Sequence, residues 1–344
     1  MNEQQQLISE TLNRLLTDLC TPVVVDKSES GTFAESLWQA LTETGLTAAG
    51  LEVEAGGSGG DLEDSLLVIR EAARFAAPVP LAEHFIAGLL LSEQGQSIGV
   101  GPVTVASGKF HLSDDLSLSG IANDVAFARW SAEVVLVAEG TDGVKLCRVP
   151  ASDFDIIEKN SVAGEPRDTV SVNTKVAPES VFNVDSQTPE RIKLMGAALR
   201  ALMMSGALES VLEMTVKYST ERSQFGKPIS KFQAIQQQLA TLAGEVAASQ
   251  TASHAVVGSF SALNELDIAI GKARIGEAVS VCTEIAHQVH GAMGYTLEHS
   301  LNHRTRRLWN WREEYGNERE WQKIVGRYFS SQGADKVWGA MTVL

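Results

Sequence analysis

The chain has 344 residues, enough for two or three domains at the roughly 150 residues of a common domain. Lys+Arg 28 against Asp+Glu 43 leaves a net charge of −15, which opposes nonspecific attraction to nucleic acid or anionic lipid. Hydrophobic residues at 44% and charged residues at 21% exclude a disordered chain.

The first residues are polar and amphipathic, without the basic start and apolar core of a signal peptide. From Gln5 to about His84 apolar residues recur at helical spacing, as in Leu7, Leu12, Leu15, Leu16 and Leu19, and again in Leu66, Leu67, Ile69, Ala72 and Phe75. Thr21-Pro22 interrupts this pattern, and so does a glycine-rich run at residues 54–61 that reads as a loop. A nucleotide-binding P-loop would end in Gly-Lys-Ser/Thr, which supplies a charge and a hydroxyl, and Asp61 stands there instead.

Between about Val100 and Val184 the texture changes to short β-rich runs at residues 102–106, 133–138, 144–149 and 169–172, punctuated by Gly, Asp and Asn. No helical pattern intervenes, so the spacing predicts a compact antiparallel β unit. From Pro189 to about Phe329 long helical periodicity returns with hardly a proline, which predicts a bundle of about four long helices. The expected domains are residues 1–98, 99–186 and 187–344. No stretch reaches the roughly 18 uninterrupted apolar residues of a membrane span, and a cytoplasmic location is expected. Cys20, Cys147 and Cys282 lie far apart, which excludes a disulfide scaffold and a clustered zinc site.

Two segments carry candidate chemistry. In Arg222-Ser-Gln-Phe225-Gly226-Lys227-Pro228, a helix ends near Arg222, Phe225-Gly226 forms an exposed turn, and a new helix begins near Ser230. This is either plain punctuation or a corner at which Arg222 grips a phosphate and Phe225 packs on a ring system. In the second segment His287, His290, His299 and His303 invite a metal reading, but Gly291 and Gly294 break the helix between the pairs. Gly291 and its neighbours instead let backbone approach a ligand closely, with Gln288 as a neutral hydrogen-bonding head, or they only end a helix.

The Arg-x-Gln-Phe-Gly-Lys-Pro-Ile turn, the Gln-x-His-Gly-Ala-Met-Gly-Tyr-Thr segment and the following arginines resemble the C-terminal domain of the acyl-CoA dehydrogenase flavoproteins. The resemblance extends along the whole chain. It implies a mainly α fold with a central β domain: an N-terminal helical domain, an antiparallel β domain and a C-terminal four-helix bundle. It also implies α,β-dehydrogenation of an acyl-CoA thioester, FAD as cofactor, an electron-transferring flavoprotein as acceptor, and a homo- or hetero-oligomer with no nucleic acid and no membrane insertion. Arg222 and Phe225 would serve the diphosphate and adenine end of one FAD, with Gln288, Gly291 and Ala292 approaching it from the neighbouring subunit.

The sequence departs from the family pattern at the catalytic base. Relatives place a Glu before a Gly in a Tyr-Glu-Gly-Thr-like loop, or early in the first bundle helix. Here Tyr315 and Gly196 occupy those positions, and a phenol with its ordinary pKa of about 10 is a poor base at neutral pH. Glu314 is one residue out of register, either a shifted base or part of a solvated acidic face with Glu313 and Glu318. The chain thus resembles the compact subunit of heteromeric bacterial members that shorten steroid-type side chains. Three readings follow: a subunit whose partner supplies the base, a self-sufficient enzyme using Glu314, and a non-catalytic structural or regulatory subunit.

Overall fold

The structure, a computed structural model, describes residues 2–296 and 298–342. Helices come first: α1 (Glu3–Leu19), α2 (Pro22–Glu29), α3 (Glu35–Glu43), α4 (Leu62–Arg74) and α5 (Leu81–Ser92). A capping box starts α1. The Gln5 N–H donates to the Asn2 side chain at 2.8 Å and the Asn2 N–H to the Gln5 side chain at 3.1 Å, which satisfies two of the donors that a helix start leaves open. Pro22 at the first position of α2 lacks the N–H that would continue α1.

The glycine-rich run between α3 and α4 is a packing device. A Cβ on Gly57 would lie 2.0 Å from the Leu51 carbonyl oxygen, and one on Gly60 would lie 2.5 Å from that of Ala49. The Gly59 and Gly60 N–H groups donate to those same two carbonyls, at 3.2 and 3.0 Å. With its amides spent inside the loop, the run offers no phosphate cradle. Helix α5 is buried on nearly all sides, and His84 within it accepts the Val103 N–H at 3.2 Å and meets the Trp38 ring edge-on at 5.1 Å.

The strands are β1 (Val103–Ala106), β2 (Lys109–Leu112), β3 (Ser117–Ala126), β4 (Glu133–Gly140), β5 (Gly143–Pro150), β6 (Phe154–Ile157), β7 (Arg167–Lys175) and β8 (Val181–Asn183). Their order is β6-β7-β3-β2-β4-β5-β8, with β1 also on β4. Most pairings are antiparallel, as the turn spacing predicts. However, β1 and β2 both run parallel to β4, so the sheet is mixed. The reason is local. The chain keeps its direction from β1 through Ser107-Gly108 into β2, so the two short strands follow one another along the same β4 edge. Alternating residues, among them Leu118, Val134, Leu136, Cys147, Val149 and Val170, bury their side chains in one core, each contributing about 2 kcal/mol.

The remaining elements are α6 (Thr188–Glu221), a short hairpin of β9 (Ser223–Gln224) and β10 (Lys227–Pro228), then α7 (Gln233–Ser259), α8 (Glu265–His290), α9 (Leu301–Glu313), α10 (Glu318–Gln332) and α11 (Ala334–Thr342). Helix α7 starts later than the Ser230 expected from sequence, because Ile229–Lys231 form a 3-10 turn first. Helix α6 is long and apolar enough to cross a membrane, but it is largely buried within the protein. Helix α8 packs against both α7 and α10. By compactness the chain divides into two units, residues 1–69 with 77–196 and residues 70–76 with 197–344.

Candidate functional site

Helix α6 ends at Glu221, and the chain reverses in the β9–β10 hairpin, where Ser223 pairs with Pro228 and Gln224 with Lys227. Phe225 and Gly226 form the two-residue turn, with φ of +50° and +79°. Such turns favour Asn-Gly because both residues need a positive φ, and a phenylalanine there costs about 1 kcal/mol. Its ring is 92% exposed and meets Phe232 edge-on at 6.2 Å. Lys227 lies over the Phe232 ring at 4.6 Å, and Arg222 is exposed at the foot of the hairpin. The corner therefore presents an aromatic face and two cations to solvent.

The second segment begins where α8 ends. Gly291 takes φ +60° and ψ −140°, a conformation in which a side chain is strained, and a Cβ there would meet nothing within 4 Å. Gln288, Gly291 and Ala292 are all exposed. The Tyr218 ring stacks on His290 at 4.4 Å. Tyr218 is one helical turn before Arg222, and His290 directly precedes Gly291. The stack therefore joins the two segments within one chain.

The histidines serve packing. His287 stacks between Tyr295 at 4.4 Å and Trp309 at 5.7 Å, with its Nε2 3.2 Å from the Thr305 hydroxyl. His290 holds the Ala286 carbonyl at 2.7 Å through Nδ1 and lies 4.8 Å from the His299 ring. Burial lowers the pKa of His287, His290 and His299, that of His290 to about 4, so these rings are neutral. Among the described residues the four histidines do not converge as metal ligands.

Gly196, one of the two positions expected for a base, lies buried inside α6 without a side chain. Tyr315 follows α9 with φ +56°, and Gly316 with +98°. The Glu314 carboxylate accepts from Arg200 Nε and Asn310 Nδ2. The Arg200 side chain is 3% exposed and that of Glu314 19%, and the guanidinium also lies 5.5 Å from the centre of the Tyr315 ring. Glu318 is engaged as well, accepting from Arg312 at 2.9 and 3.0 Å. The expected solvated acidic face is thus reduced to Glu313; Glu314 and Glu318 turn inward to arginines. Arg200 lies far back in the sequence, in a helix whose pattern reads as plain core.

A helical start, a central sheet and a helical end, with an exposed Arg–Phe corner beside a glycine-ended helix, define a protein of the acyl-CoA dehydrogenase class. Residues 2–96 match the N-terminal domain of the acyl-CoA dehydrogenases and residues 194–312 their C-terminal domain, and the chain belongs to this family. It is 26% identical over 310 residues to the acyl-CoA dehydrogenase IpdE2 of Mycolicibacterium smegmatis, covering 88% of this chain and 91% of that one. Its fold is similar to the ChsE4-ChsE5 complex from Mycobacterium tuberculosis, with TM-score 0.86 and 20% identity over 97% of this chain and 99% of that one. It is likewise similar to the Tcur3481-Tcur3483 steroid acyl-CoA dehydrogenase, with TM-score 0.84 and 21% identity over 96% and 98% of the two chains.

Proposed function

We propose that this chain is one subunit of a heteromeric, FAD-dependent acyl-CoA dehydrogenase, and that a partner polypeptide supplies the carboxylate that removes the acyl Cα proton. The observation that carries this reading is the engagement of Glu314. A general base must be able to receive a proton from substrate, and here the nearest carboxylate to the expected position is spent on Arg200 and Asn310, with Tyr315 beside it. Gly196 offers no alternative.

The exposed corner fits the dinucleotide end of FAD. Arg222 has the forked donors that match a pyrophosphate, the Phe225 face suits an adenine ring, and open space at Gly291 admits a close backbone approach beside Gln288 and Ala292. Arg222 and Phe225 of one subunit would serve the diphosphate and adenine end, with Gln288, Gly291 and Ala292 of the neighbouring subunit approaching the same dinucleotide. When bound, FAD would accept the hydride that leaves Cβ. An electron-transferring flavoprotein would then take the electrons. The steroid dehydrogenase among the similar folds favours a CoA thioester from steroid or fatty-acid side-chain degradation as substrate.

The test is purification of the chain alone and after co-expression with the product of a neighbouring gene of the same family. Bound flavin and acyl-CoA dehydrogenation are expected in the complex only. A lone chain that carries flavin and turns over at the full rate would overturn the proposal.

A further inference from the structure

Lys272, in the first third of α8, is 1% exposed, and its ammonium donates three hydrogen bonds to backbone carbonyls. They are those of Trp311 at 3.3 Å, Arg312 at 2.8 Å and Gly316 at 3.0 Å. The first two belong to the last turn of α9, where carbonyls have no helical partner and the helix dipole favours a cation. The third closes the turn 313–317, and the same Gly316 oxygen also accepts from Trp321 Nε1 at 3.0 Å. An ammonium has three N–H donors, so all are used. A neutral amine has two donors and a lone pair, so its lone pair would face one of the three carbonyls.

We propose that Lys272 is the positioning residue of the turn 313–317, and that loss of its proton opens this turn and frees Glu314 and Tyr315 from Arg200. Tyr315 sits at φ +56°, a conformation strained for a residue with a side chain, so contacts around the turn help to hold it. The charged groups acting on Lys272 come from three elements. Glu318 at the start of α10 and Glu314 and Glu313 in the turn favour the ammonium, while Arg200 of α6 opposes it. Glu318 is shared with Arg312 and Glu314 with Arg200, which weakens their support. On α7, Glu245 is engaged by Arg274, not by Lys272. Burial outweighs these charges and pushes Lys272 down to about 8, so the clamp loses its proton in mildly alkaline solution.

This inference needs neither flavin nor acyl-CoA, so its failure would leave the proposed function untouched, and the reverse also holds. The experiment is hydrogen–deuterium exchange of residues 309–317 in the purified full chain, corrected for intrinsic exchange, between pH 6.5 and pH 9.5. With a midpoint near 8, the deprotonated fraction, and with it the loss of protection, rises about tenfold from pH 7 to pH 9. Lys272→Met should show the low protection already at pH 7 and lose the pH dependence. Constant protection in the wild type from pH 7 to pH 9 overturns the proposal, whether or not the variant folds. So does a Lys272→Met protein that keeps the wild-type pH response.

Discussion

The ion pair between Arg200 and Glu314 decides between the catalytic readings, and a double-mutant cycle measures it. Arg200→Met would leave the Glu314 carboxylate, with 19% side-chain exposure, without its cation, while Asn310 still donates to it. Breaking a buried pair from one side costs about 3–5 kcal/mol, and the partial exposure of Glu314 puts this case at the lower end, about 3 kcal/mol. Glu314→Gln removes the carboxylate that Arg200 Nε bonds, beside a guanidinium 3% exposed, at a similar cost of about 3 kcal/mol. The double variant removes both charges and should cost no more than either single one, which gives a coupling of about 3 kcal/mol. At roughly 2 °C per kcal/mol for a chain of this size, each single variant melts about 6 °C lower. Urea denaturation and thermal scans of the full chain would read this. Strictly additive effects would mean that the pair is not formed in solution. The same Glu314→Gln variant, assayed in the complex with its partner, should turn over at the wild-type rate. A fall of about a hundredfold or more, the loss expected for a general base, would make Glu314 that base and refute the partner reading.

Arg222→Ala should weaken FAD binding by about ten- to a hundredfold, the value of a charge-assisted bond to phosphate, and Arg222→Lys should restore only part of it because an ammonium lacks the fork. Flavin fluorescence titration measures both, and equal affinities in all three proteins would remove Arg222 from the site. Stability should fall on acidification through the buried histidines. His84 and His290 are lowered by burial to about 4, against about 6.5 when unfolded. The unfolded chain therefore binds more protons between pH 6.5 and pH 4. Each histidine removes up to about 3 kcal/mol as pH falls through that window. His84→Gln should flatten the slope of urea midpoint against pH, and an unchanged slope would show that His84 does not titrate on unfolding.

What the sequence revealed followed local rules. Periodicity and Thr21-Pro22 located the first helices, and Phe225-Gly226 followed by Lys227-Pro228 located the hairpin because turn chemistry is written in adjacent residues. Strand β3 escaped notice because Gly120, Asn123 and Asp124 read as a turn. In the structure they lie in and beside a bulge between Ala122 and Val125, opposite β7. The partners that give the site its character were also illegible. Arg200, Tyr218 and Lys272 sit in helices whose patterns read as ordinary core. Only tertiary packing sets Arg200 on Glu314, Tyr218 on His290, and Lys272 on three carbonyls.

Of the three aromatic residues at positive φ among the described residues, Phe127, Phe225 and Tyr315, the last two lie in the candidate segments, with φ of +50° and +56°, at a similar cost of about 1 kcal/mol each. Their surroundings differ. The Tyr315 ring has the Arg200 guanidinium at 5.5 Å, and its turn is held by Lys272, so the cost is offset within the chain. The Phe225 ring is 92% exposed and meets Phe232 edge-on at 6.2 Å, so under the proposed function the bound flavin nucleotide would offset its strain. The same substitution should therefore act in opposite directions. Phe225→Asn installs the Asn-Gly pair that such turns favour and should raise the stability of the lone chain by about 0.5–1 kcal/mol while weakening flavin binding. Tyr315→Asn relieves the same strain but gives up the ring contact with Arg200, worth about 1–2 kcal/mol when desolvated, and should destabilise the chain. Urea midpoints of the two variants decide. Destabilisation by Phe225→Asn would mean that the hairpin is supported from within, and the argument that its exposed ring awaits a ligand would fall.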